Sequence, residues 1–190
     1  MTMRKVQIEP LEGYDPEVGR WLWALQDVRH RYTLRLVKDL DERLLDWEGP
    51  DGQENAIGSL LYHIAAVEMG WLYTDLKGLT EFPPTIKPDF PFPDREPDGN
   101  HLTRVLGVPI AEHVARLNRS RAVFLKELEG ISSAEWRRLR PGPPQEADDE
   151  WVTPEWVVFH LVEHEAGHAF QMRSLKARGT RMLASGGHNV

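Results

Sequence analysis

Cysteine is absent from all 190 residues. That removes disulfides, a cysteine nucleophile and thiolate metal sites together. Any metal must be held by His, Asp or Glu, and any thiol chemistry must use sulfur brought in by a small molecule. No apolar run approaches the ~20 residues that span a bilayer. The N-terminal stretch MTMRKVQIEPLEG lacks the apolar segment of a secretory signal. The expectation is a cytoplasmic protein with no membrane partner. The net charge is −7, without a long block of one sign, which argues against a nucleic-acid partner. Neither G-x-G-x-x-G nor G-x-x-x-x-G-K occurs, so no phosphate-cradling loop is indicated. No alternating strand pattern and no internal repeat stand out.

Helical periodicity is what the chain does contain. Its length fits one domain over 1–190. Asp15-Pro16 is a helix start, a capping side chain followed by proline at the first position. Val18, Leu22, Leu25, Val28, Tyr32, Leu36 and Leu40 then form an apolar stripe, predicting a helix over about 15–46. A second helix is predicted over 55–77 on Ile57, Leu60, Leu61, Ile64, Val67, Glu68, Trp71 and Leu72, with Gly78 as its cap. From Glu81 to Gly99 prolines are too dense for a helix, and Phe82, Phe90 and Phe92 predict an ordered loop packed on the domain. A third helix is predicted over 109–129, with Ile110, Val114, Leu117, Arg121, Phe124 and Leu128 at core spacing. Ser132 with Glu135 then resembles a capping box. A polar, acidic loop follows from Pro141 to Glu150. The fourth helix is predicted over 154–176, started by Thr153-Pro154, and the tail from Gly179 to Val190 is expected to fray. The fold class is all-α: a four-helix bundle with a long proline-rich connection between helices 2 and 3. Such bundles build metal sites from inward-facing side chains on neighbouring helices.

The chemistry concentrates in the fourth helix. Trp156, Val157, His160, Leu161, His164, Gly167, His168, Gln171, Met172 and Leu175 recur at helical spacing. His164 and His168 are four apart, so their imidazoles can share one metal ion. Three neutral imidazoles with one open position make a catalytic-type site. His63, inside a strongly apolar helix, is the leading third ligand, since a histidine there needs a hydrogen bond or a metal. His160 lies one turn before His164 and is open to several roles: support for the ligands, a substrate contact, a fourth ligand, or a partly buried histidine near the bundle end. His30, His101, His113 and His188 show no close ligand partner and are expected at the surface.

The same stretch spells His164-Glu165-Ala166-Gly167-His168, a match to H-E-x-x-H. In a zinc protease Glu165 would be the general base. The longer protease pattern fails, because Gln171 and Ser174 stand where further signature residues belong. His188, in a glycine-rich tail, is the one ligand candidate downstream.

LLYHIAAVEMGWL (Leu60 to Leu72) with VVFHLVEHEAGHAFQM (Val157 to Met172) resembles the DinB family, the DinB/YfiT-like metalloenzymes. That resemblance implies the bundle with its long second connection, and His63, His164 and His168 as ligands to one divalent metal, nickel or zinc. Glu68 matches a Glu found after the first ligand, although helical geometry turns it about 140° from His63. Gly167-His168-Ala169-Phe170-Gln171 keeps the ligand and Gln171 but departs from the family's H-H-R-G-Q. Relatives in the family include transferases that use small-molecule thiols, and an isomerase, and family members often pair as homodimers through bundle helices, so the resemblance implies a homodimer here.

Three functions follow as expectations. The first is a metal-dependent transferase or isomerase, its small-molecule thiol attacking an electrophile in a pocket lined from Trp21, Tyr62, Trp71 and Trp156. The second is a metal-dependent hydrolase with Glu165 as base. The third is a non-catalytic, stress-related bundle whose metal only ties helices together. His160, Gln171 and Trp71 are the candidates for supporting the ligands or touching substrate.

Overall fold

The structure is a computed structural model and describes residues 7–97, 99, 101–141 and 151–185. Among them the protein is predominantly helical. Helix α1 (Pro16–Val28) starts as the sequence predicts, with the Asp15 side chain accepting from the Glu17 N–H. It runs on through a π-helical turn, Arg29–Leu34, into the short α2 (Arg35–Val37), and a 3-10 turn follows at Glu42–Leu44. Helix α3 (Ile57–Gly70) likewise passes into a π-helical turn, Trp71–Leu76. Helices α4 (Ile110–Glu127), α5 (Ser133–Trp136) and α6 (Pro154–Ala184) complete the set. The main packing partners are α1 with α6, and α3 with both α4 and α6.

The first π turn alters which residues face inward. It carries one residue more than the α-helical repeat allows, so the stripe of Val18, Leu22, Leu25 and Val28 does not continue to Tyr32. Tyr32 is exposed, while Arg29, Thr33 and Val37 are buried. The helix expected over 15–46 therefore ends at Val37, and Leu44 and Leu45 enter the core from the separate 3-10 turn.

Helix α3 is buried on nearly every side, as expected of a helix apolar all round. It lies against α4 and α6 and is roofed by the proline-rich segment. Ile86 and Phe90 of that segment are buried, whereas Phe92 is exposed. The segment is tied down at Tyr62, whose hydroxyl donates to Phe92 O at 2.6 Å and accepts from Phe92 N–H at 3.0 Å. At the end of the helix Gly78 has φ of +66°, and its N–H donates to Thr74 O. That left-handed conformation favours glycine.

Helix α6 is longer than predicted. Residues 179–184 are helical rather than frayed, because Gly179 packs on the 3-10 turn. A Cβ there would lie 2.6 Å from Leu44 Cδ2 and 3.0 Å from Trp47 Cε3. Residues 186–190, His188 included, lie outside the described residues, as does 142–150 of the expected acidic loop. The residues flanking that loop form an antiparallel ladder that no alternating pattern announced. Strand β1 (Arg140–Pro141) pairs with β2 (Trp151–Val152), Arg140 opposite Val152. Two-residue strands are too short to carry a periodic signal. No described helix is long and apolar enough to cross a membrane.

Candidate metal centre

Helix α6 presents a rotated face relative to the predicted stripe. Val157, Val158, Leu161, Glu165, Ala169, Met172 and Leu175 are buried, while Trp156, Gly167 and Gln171 are exposed. His164 and His168 therefore sit at the edge of the buried stripe, half-buried. They face His63, which α3 holds in the interior at 1% exposure. His63 Nε2 lies 3.1 Å from His164 Nε2, and His168 Nε2 lies 3.0 Å from the same atom. Among the described residues these three form a group with one ligand atom each, all within 4.8 Å of one another.

Two of the rings are held from behind. His63 Nδ1 is 3.3 Å from Asp94 O, a carbonyl that can only accept, so the ring proton belongs on Nδ1. His168 Nδ1 donates to Gln171 Oε1 at 2.9 Å. Both rings thus turn bare Nε2 lone pairs toward His164. His164 Nδ1 is buried without a hydrogen-bond partner. His164 Nε2 carries at most one proton, so it can satisfy one neighbour and not both. A cation between the three nitrogens removes that conflict. Imidazoles bound at 2.0–2.1 Å with angles between octahedral and tetrahedral stand roughly 2.9–3.4 Å apart, which brackets both observed separations. The three histidines could hold a metal ion.

The electrostatics favour the neutral, ligating form. Burial, followed by His168, pushes His63 down to about 4. Burial, then His168 and His63, pushes His164 down to about 2. Burial also lowers His168, against the opposing effect of the Gln171 hydrogen bond. At neutral pH no proton has to be displaced from an imidazolium before a metal binds.

A cleft of about 520 Å³ opens beside the cluster, bounded by Trp71, Thr74, Asp75, Asp94, Arg95 and His160, and reached by His63 and His164. His160 stacks on Trp156 at 5.1 Å with an interplanar angle of 4°, and its Nδ1 contacts Glu163 at 3.2 Å. It is a wall of the cleft and stands outside the converging group. Trp71 packs edge-on against both Trp156 and His160. Two aromatics proposed as pocket lining lie elsewhere. Trp21 packs on Phe159 and donates to Glu155, while Tyr62 sits under the proline-rich segment with Arg116 over its ring.

Glu165 points into the core. Its Oε1 accepts from Arg29 Nε at 2.6 Å and Thr33 Oγ1 at 2.7 Å, and its Oε2 accepts from Arg121 Nη2 at 3.0 Å. Burial raises its pKa, but Arg29 and Arg121 outweigh that and hold the carboxyl below the usual range. A carboxylate with both oxygens engaged this way is poorly placed to take a proton from metal-bound water. Glu68, the matched residue after His63, joins the same cluster. It accepts from Arg29 Nη2 at 3.3 Å, Ser120 Oγ at 2.7 Å and Arg121 Nε. Sequence reasoning missed Arg29, Thr33 and Ser120. The available signal was charge at core spacing: Glu68 and Arg121 fall in the predicted apolar stripes, and Glu165 stands four residues after Leu161 and four before Ala169.

Of the histidines expected at the surface, His30 and His101 are exposed, but His113 is fully buried. It fits under Gly58, where an added Cβ would stand 3.2 Å from His113 Nε2. Burial, then Arg116, pushes its pKa down to about 4.

No curated protein matches the chain. The family model of the DinB superfamily matches residues 24–172, more than three quarters of the sequence and a span that includes all three converging histidines. The chain belongs to the DinB superfamily.

Proposed function

We propose that this protein is a divalent-metal-dependent enzyme built on a DinB-type four-helix bundle, and that it transfers a small-molecule thiol to an electrophilic substrate. His63, His164 and His168 are the proposed ligands, with zinc or nickel as the metal. The observation that carries the reading is the convergence of three histidines beside an open cleft, with the Nε2 atoms of His63 and His168 standing 3.1 and 3.0 Å from His164 Nε2 and all three ligand atoms within 4.8 Å of one another. A bound divalent ion supplies a position at which a thiol loses its proton readily.

The chain's own residues do the rest. Asp94 O and Gln171 orient the His63 and His168 rings, so their Nε2 lone pairs already point inward before a metal binds. Trp71 and His160 line one side of the cleft, with Trp156 stacked on His160, and would offer an aromatic face to an apolar or planar electrophile. The chain offers no cysteine, so the sulfur nucleophile is the cosubstrate's. Hydrolysis is supported less well, because its proposed base, Glu165, is engaged by two arginines in the core. A purely structural metal is also less well supported, because His160 is stacked on Trp156 rather than completing a four-ligand shell.

The test is thiol transfer to a chromogenic aryl halide by metal-loaded and chelator-stripped protein. Transfer is expected to disappear on stripping and to return with added zinc or nickel. Undiminished transfer by protein verified as metal-free would overturn the proposal.

A further inference from the structure

Four charged side chains close a ring in the interior. Arg29 bridges Glu165 (2.6 Å) and Glu68 (3.3 Å), and Arg121 bridges the same two carboxylates from the other side, reaching Glu165 at 3.0 Å. All four are at most 4% exposed. Each arginine is also anchored on the opposite helix: Arg29 Nη1 donates to Leu117 O of α4, and Arg121 Nη1 donates to Leu25 O of α1. Thr33 and Ser120 add one hydroxyl donor to each carboxylate.

We infer that this quartet positions the metal centre, by fixing the axial register of α3 against α6 so that His63 meets His164 and His168. The inference rests on reading the three histidines as metal ligands. Glu165 is the neighbour of His164 and lies between the two α6 ligands in sequence. Glu68 follows His63 by five residues, about 7.5 Å along the helix axis. Among the described residues, the only direct hydrogen bond between α3 and α6 is the His63–His164 contact itself, and a bound ion would replace it. Apolar packing seats α3 on α6, and each arginine adds a directional tie that spans one carboxylate from each ligand-bearing helix. A slip of one residue, about 1.5 Å, would open both bridges and pull apart nitrogens that now stand 3.1 Å apart. Two positive and two negative charges balance, so apolar residues of similar volume would fill this space without the desolvation penalty. Fixing register is the best-attested use of such buried ionic groups.

The experiment compares wild type, Glu68→Gln, Thr33→Val and His63→Ala. Zn²⁺ affinity is measured by chelator competition, and the visible d–d absorption of the Co²⁺-loaded protein reports ligand geometry. Both are read at a temperature where circular dichroism shows each variant fully folded. Glu68 and Thr33 touch no histidine, so a merely structural role would lower the unfolding temperature and leave affinity and spectrum unchanged. Positioning predicts that Glu68→Gln loses about 10–100-fold in Zn²⁺ affinity and shifts or weakens the Co²⁺ bands, with Thr33→Val changing both in the same direction. If Glu68→Gln does not fold, Thr33→Val decides the question. Wild-type affinity and spectrum in the folded variants, alongside metal loss in His63→Ala, would overturn this inference alone. A wild-type protein that takes up no metal would overturn the metal reading and the inference with it.

Discussion

Replacing Glu165 with alanine separates a structural role for this residue from a catalytic one. The substitution removes three charge-assisted or hydroxyl contacts and leaves Arg29 and Arg121 sharing Glu68 alone. One positive charge is then uncompensated at a site where Glu165 is 1% exposed. Removing one partner from a buried ion pair costs about 3–5 kcal/mol, a large share of the roughly 5–15 kcal/mol that stabilises a typical domain. For a chain of this size each kcal/mol moves the melting temperature by about 2–4 °C, so a drop of about 6–20 °C is expected. The assay is thermal unfolding followed by circular dichroism with a chelator present in both samples, so that metal release does not contribute. A general base on the surface of a cleft would instead leave the melting temperature nearly unchanged while activity fell. A Glu165→Ala protein melting within about 2 °C of wild type would refute the buried-network argument.

Two further outcomes follow from the packing. His113 is neutral when folded and takes a proton when unfolded, so its contribution is fully present above pH 6.5 and lost as pH falls toward about 4. That contribution amounts to about 3 kcal/mol. The stability gap between wild type and His113→Gln in urea titrations of metal-free protein should narrow by most of this between pH 7 and pH 4.5, and an unchanged gap would contradict it. Gly179→Val places a branched side chain against Leu44 and Trp47. It should cost about 1–3 kcal/mol through overpacking, measured as a lower urea midpoint, and an unaltered midpoint would show that the 3-10 turn yields freely.

How far the sequence was legible differs by element. Helix starts were readable, because Asp15-Pro16, Ser132 and Thr153-Pro154 carry their own capping chemistry, and each caps as its type dictates. The three histidines were readable as a set of candidates because a polar ring in a strongly apolar helix demands a partner. What failed was the exact face. The π turn at Arg29–Leu34 adds a residue that no propensity announces, so Tyr32 was placed inside and Thr33 was overlooked. On α6 the inward face centres on Glu165, which apolar patterning skips because it treats a carboxylate as solvent-seeking. The same bias sent His113 to the surface, although Gly58 on another helix makes room for it. For Glu165 the reason is physical. A buried charge is tolerated only when its partners arrive from distant segments, here 132 and 136 residues away for Thr33 and Arg29. A single-segment pattern does not contain them.

The central claim is that His63 of α3 closes a metal site with His164 and His168 of α6. Metal analysis of purified wild-type protein and of a folded His63→Ala variant, after equal exposure to zinc and removal of excess, addresses it directly. One tightly held ion per wild-type chain, and its loss or severe weakening in His63→Ala, is the predicted result. Equal metal content and affinity in the two proteins would contradict it.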